Sequence, residues 1–125
     1  VENILIDTAI FDILDPGPVS KAIYLVKEKH GYPAGCGAHN AIDIWSKRTK
    51  LSPDVKLSGT ILANIIPVIM GADFLLYGPI QNAAKIYPSI ALVNAYMAYT
   101  LWQEYGVKPV ANHPFYNLNK IATIK

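Results

Sequence analysis

The strongest restriction on the fold of this chain is an alternation of short apolar runs with stretches in helical rhythm. Ile4-Leu5-Ile6 closes on Asp7, and Ala72-Asp73-Phe74-Leu75-Leu76-Tyr77 closes on Gly78-Pro79. Short runs with such boundaries read as buried parallel strands. After Asp15-Pro16-Gly17-Pro18 breaks the chain, Val19, Ala22, Ile23 and Val26 recur at the spacing of one helix face, with Lys21, Lys27 and Glu28 turned outward. Gly31 suits the left-handed residue that ends a helix, and Pro33 forbids continuation. Tyr32 to His39 is rich in small residues and has weak strand propensity; its place between two helical stretches assigns it as the middle strand.

A helical piece over Ala41 to Lys47 leads through Leu51-Ser52-Pro53-Asp54 into a second from Gly59 to Met70, ended by Gly71. Beyond the third strand the spacing predicts a short helix over Gln81 to Ile86 and an interruption at Pro88. A longer helix from Ser89 to Tyr105 follows, with Ile90, Val93, Met97 and Leu101 on one side. Residues 107–125, which include Pro109 and Pro114, are expected to form a tail packed on the surface or against a partner. Strands alternating with helices imply an α/β fold with a parallel sheet, because each crossover needs a helix to return the chain. Closing a barrel takes eight such units and on the order of 200 residues, more than this chain holds.

Composition narrows the function classes. With 52% hydrophobic and 16% charged residues among 125, the chain can bury one core, which excludes disorder. The net charge of +2 is spread thinly, and its densest group, Lys47, Arg48 and Lys50, reads as a solvated loop rather than a nucleic-acid footprint. Cys36 is the one cysteine, so no disulfide forms within the chain, no cysteine-rich zinc site is available, and a reducing, intracellular setting is expected. Leu57 to Ala72 and Ile86 to Gln103 lack charge, but both contain polar residues and proline and read as buried helices, not membrane spans. Val1-Glu2-Asn3 carries neither an initiator methionine nor a basic leader, so the chain is expected to begin within a longer polypeptide.

In parallel α/β folds ligands gather at the C-terminal ends of strands. That selects Asp7-Thr8, His39-Asn40 and Tyr77-Gly78. Asp7 admits two readings, a carboxylate capping a turn or one that accepts two parallel N–H bonds from a flat heterocycle. In Gly35-Cys36-Gly37-Ala38-His39-Asn40 the small residues would let a ligand approach the backbone, though the glycines match neither a dinucleotide fingerprint nor a phosphate loop. His39 taken alone reads first as a hydrogen-bonded structural histidine, and Cys36 as a small buried residue rather than a nucleophile. No two histidines have a metal-binding spacing. Tyr96, Tyr99, Trp102 and Tyr105 read as helix surface and packing groups, with a subunit interface as the second choice.

The run Gly31-Tyr32-Pro33-Ala34-Gly35-Cys36-Gly37-Ala38-His39-Asn40 closely resembles a signature of the MtrH family, the pterin-binding component of tetrahydromethanopterin S-methyltransferase. Ala72 to Ala83 is similar to that family's next strand and loop, Pro88 and the helix after it continue the similarity, and Gly106 to Val110 with His113-Pro114 resembles its C-terminal end. The resemblance implies a TIM (β/α)8 barrel related to the pterin-binding methyltransferases and dihydropteroate synthase. Residues 1–125 would supply the C-terminal portion of that single domain, about three βα units, with 107–125 as its tail. It further implies transfer of the N5-methyl group of methyl-tetrahydromethanopterin to the cob(I)amide of a corrinoid-carrying partner subunit, in the one-carbon metabolism of methanogenesis. Asp7 matches the aspartate that would hold the pterin ring and Asn40 the asparagine near N5, with Gly35, Gly37, His39 and Gly78 around them. The implied setting is cytoplasmic and peripheral to a membrane-anchored, sodium-coupled complex, as a homodimer without a span of its own. Two alternatives stay open: a soluble methyl-tetrahydrofolate:corrinoid-protein methyltransferase, and a non-catalytic assembly module.

Overall fold

The computed structural model describes residues 3–122; Val1, Glu2 and the last three residues of the expected tail lie outside it. Three short strands, β1 (Ile6–Asp7), β2 (Ala34–Cys36) and β3 (Phe74–Leu75), form a parallel sheet in that order. Ile6 pairs with Ala34 and Asp7 with Gly35, while Gly35 and Cys36 pair with Phe74 and Leu75. The α/β fold expected from the alternation is therefore present, as a parallel sheet of three strands with helical crossovers.

Helix α1 (Pro16–His30) connects β1 to β2 and ends at Gly31, whose φ of 68° is the left-handed conformation that terminates a helix. Helices α2 (His39–Arg48) and α3 (Pro53–Ile69) together connect β2 to β3. The second of these begins six residues before the expected Gly59, because Pro53 suits the first helical position and the Ser52 hydroxyl caps the Val55 N–H at 3.3 Å. Lys47 and Arg48 fall on the last turn of α2, not in a loop, where their charges suit the helix dipole; Arg48 also pairs with Asp12 at 2.8 Å.

The expected break at Pro88 does not occur. A short 3₁₀ turn (Ile80–Asn82) leads into one helix, α4 (Ala83–Tyr105), that runs through the proline. A proline there forfeits one backbone bond to the carbonyl four residues earlier, and the bonds on either side carry the helix past the gap. The buried positions of α4 are Ile86, Ala95 and Ala98, so its closest packing uses small residues, while Leu101, expected on the inner face, is exposed. The tail is ordered: a 3₁₀ turn (Pro114–Asn117) and α5 (Leu118–Ala122) fold back, and Phe115 stacks on Tyr99 at 6.2 Å and meets Trp102 edge-on at 5.7 Å.

The core lies between the sheet and α1, α2 and α3, with Ile23, Ala34, Cys36, Ala38 and Ala41 fully buried. At the N-terminal side of the strands, Lys27 donates to the Gly71 carbonyl at 2.6 Å and to Asp73 at 2.8 Å, while the other Asp73 oxygen accepts the Ala34 N–H at 2.9 Å. One lysine thus ties the end of α1 to the starts of β2 and β3. Among the described residues no helix is long and apolar enough to cross a membrane.

Candidate functional site

A parallel sheet sets all its C-terminal strand ends along one edge, where loops can carry function without carrying the fold. Asp7 stands there, exposed, at the end of β1. Its Oδ1 accepts the Ala9 N–H at 2.8 Å and closes a corner in which Ala9 takes φ 56°, a left-handed conformation costly for a residue with a Cβ. The corner is sealed inward by Thr8, whose N–H donates to the Gly35 carbonyl at 3.0 Å. These bonds orient the carboxylate and leave Oδ2 as an acceptor without a partner among the described residues.

Gly35, Cys36 and Gly37 are buried. A Cβ on Gly35 would fall 2.1 Å from the Phe74 carbonyl oxygen, so the glycine is what lets β3 close against β2. Burial, with the Asp7 carboxylate adding to it, pushes the Cys36 thiol up to about 11. Such a thiol is neutral at ordinary pH and a poor nucleophile. A Cβ on Gly37 would lie 3.2 Å from Nδ2 of Asn40, so the Asn40 amide folds back over the end of β2. The Asn40 N–H donates to the Gly37 carbonyl at 3.1 Å, and its side chain is exposed.

His39, half-buried, donates from Nδ1 to the Leu76 carbonyl at 2.8 Å. Gly78 has φ 96°, and a Cβ there would meet the His39 ring at 2.8 to 3.0 Å, so both conformation and contact call for glycine. His39, Asp43, Leu76, Tyr77, Gly78 and Ile80 line a recess of about 520 Å³. The structure therefore gathers Gly37, His39, Asn40 and Gly78 into one contact group, sets Asp7 on the neighbouring strand end, and leaves Gly35 inside the sheet. Asp43 joins the recess, a residue that strand-end reasoning passes over; its i+4 spacing from His39 on a helix is the signal that could have found it.

A second cavity of about 450 Å³ lies between β3, α3 and α4, lined by Phe74, Tyr77, Ile86, Tyr87 and Ile90 among others. Tyr77 and Tyr87 meet edge to face at 5.1 Å, and the hydrogen bond between them holds the Tyr77 hydroxyl above its ordinary pKa. Tyr77 lines both hollows. Among the described residues no group of three or more His, Cys, Asp or Glu could hold a metal ion.

Comparison with known proteins places this geometry in a family. The family model described as the tetrahydromethanopterin S-methyltransferase MtrH subunit matches residues 1–110. The H subunit of tetrahydromethanopterin S-methyltransferase from Methanocaldococcus jannaschii is 33% identical over 127 residues, covering 91% of this chain and 40% of the relative. The protein of the same name from Methanothermobacter thermautotrophicus is 31% identical, covering 94% and 39%, and that from Methanosarcina acetivorans is 37% identical, covering 88% and 37%. The chain thus spans about 40% of the length of the curated relatives it matches. On a family match over residues 1–110 and relatives above 30% identity, the chain belongs to the MtrH subunit family of tetrahydromethanopterin S-methyltransferase.

Proposed function

We propose that this chain contributes a pterin-binding wall to a methyltransferase that moves the N5-methyl group of methyl-tetrahydromethanopterin to a corrinoid. The observation that supports it is the convergence of Asp7, Asn40 and Gly78 at the C-terminal ends of three adjacent parallel strands, in a chain of this family. The corresponding architecture is the C-terminal portion of a TIM barrel, with further strands pairing at the open edges of β1 and β3.

Asp7 fits the pterin ring because its carboxylate is exposed, oriented by the Ala9 N–H and still able to accept. A ring N–H and its neighbouring exocyclic amine would donate to it in parallel. Asn40 meets N5, and Gly35, Gly37, His39 and Gly78 complete the binding surface. When bound, the corrinoid, carried by a partner subunit, supplies the reduced cobalt that attacks the methyl carbon while N5 leaves with the bonding pair. Asn40 assists that departure: its amide both donates and accepts, so it keeps a hydrogen bond at N5 as charge develops there. The setting we infer is cytoplasmic, as a homodimer held to a membrane-anchored, sodium-coupled complex through its partners.

Calorimetric titration of methyl-tetrahydromethanopterin and methyl-tetrahydrofolate into the full chain tests this. Loss of binding in Asp7→Ala, with Asn40→Ala still binding but slowed in turnover by roughly tenfold or more, is the expected pattern. Preference for the folate would shift the reading to a soluble folate-dependent enzyme. No binding of either pterin by folded protein would leave the assembly module.

A further inference from the structure

The geometry points to His39 as a positioning residue for Asn40, a role beyond lining the binding surface. It rests on the proposed meeting of the Asn40 amide with N5. The first turn of α2 lacks the usual anchor: its N-cap, Ala38, has helical backbone angles (φ −55°, ψ −31°) and no side chain that can accept an N–H. In α3, by contrast, Ser52 supplies that cap. The Asn40 side chain has no hydrogen-bond partner among the described residues, so its direction follows from where the first turn sits.

His39 fixes that turn from the next strand. Its Nδ1 lies 2.8 Å from the Leu76 carbonyl, and because a carbonyl only accepts, Nδ1 is the nitrogen that carries hydrogen. The ring rests on Gly78 in the space a Cβ would occupy. The end of β3 therefore holds the residue next to Asn40, and the two loops at the mouth move as one. A displacement of about an ångström at a reacting group is enough to cost a large factor in rate, which gives such a tie its value.

Two variants separate this role from general loss of structure. In His39→Asn the side-chain N–H takes the place of Nδ1–H and can reach Leu76, whereas His39→Gln places its amide nearer the position of Nε2. In the full chain, assayed with methyl-tetrahydromethanopterin and a corrinoid acceptor, His39→Gln is expected to lower kcat about tenfold with KM changed less than about twofold. His39→Asn should restore most of that loss. Independently of turnover, nitrogen-15 spectra should show Nδ1 protonated in the wild type. The Asn40 side-chain amide should give one sharp pair of signals in the wild type and His39→Asn, and broadened or doubled signals in His39→Gln. Equal kcat in the two variants, or unchanged Asn40 signals in His39→Gln, would overturn the positioning role. If the wild type binds no pterin, the proposed function falls, and the Asn40 signals still decide whether His39 places that side chain.

Discussion

At Gly35 a single methyl group decides whether β2 and β3 can pair. A Cβ would sit 2.1 Å from the Phe74 carbonyl, a backbone atom that cannot move without breaking the pairing of Gly35 with Phe74. Gly35→Ala is therefore expected to destabilise by about 3 kcal/mol or more, read as a drop in the urea midpoint. Gly17→Ala, with nothing within 4 Å of its Cβ and a place in the first turn of α1, should be neutral or slightly stabilising. Cys36 adds a pH signature. Its folded pKa is raised from 9.0 to about 11, so the unfolded chain gives up the thiol proton first and folding loses stability as pH climbs from 9 to 11. The midpoint of Cys36→Ala should decline less than that of wild type across this window; equal declines would contradict a buried neutral thiol. Residue types and strand-end positions make Asp7, His39 and Asn40 legible as candidates. What the sequence hides is contact: which glycine faces a backbone oxygen, which faces a ring, and that Asp43 joins His39.

Among the elements, the strands and crossovers are the legible part, because period and punctuation are local. Where the structure departs from expectation, a longer-range or neighbouring bond intervenes. Pro88 reads as the end of a helix, yet a proline costs one backbone bond and the helix continues from Ala83. Helical phase alone turns Lys27 outward, yet its long side chain reaches Gly71 and Asp73 across more than forty residues of sequence. Burial alone would raise the Asp73 pKa, but the Lys27 hydrogen bond, the Ala34 N–H and the Lys27 charge outweigh it and lower the value. A carboxylate lowered on folding stabilises above its unfolded pKa, 3.8, and ceases to do so as pH falls through its folded value. Lys27→Met should therefore lower stability at pH 7, and the gap from wild type should close below about pH 4. Both side chains are over a third exposed, so screening limits the ion pair itself to about 1 kcal/mol or less, and 1 M salt should shrink the effect.

For the molecule as a whole, the sheet and its surface state an incomplete packing problem. β1 and β3 each have one unpaired edge, and large apolar side chains stand in solvent on several elements: Phe11 at 82% exposure, Leu14 at 80%, Ile80 at 70% and Leu5 at 66%. Open edges beside exposed apolar groups invite association. In the barrel we propose, further strands would pair along β1 and β3 and bury much of that surface. A preparation limited to these 125 residues should therefore bind a hydrophobic dye such as ANS and associate reversibly at micromolar concentration in sedimentation experiments. Supplying the remaining barrel strands on the same polypeptide should abolish dye binding. It should also slow amide exchange in Ile6–Asp7 and Phe74–Leu75, whose outer edges would then be hydrogen-bonded. If exchange at β1 and β3 stayed the same in the longer polypeptide, the added strands would not be pairing there, and the barrel would have to be abandoned in favour of an open sheet. The function assigned to Asp7 and Asn40 would then need a different opposite wall, because two strand ends can hold one face of a pterin but cannot exclude water from the other.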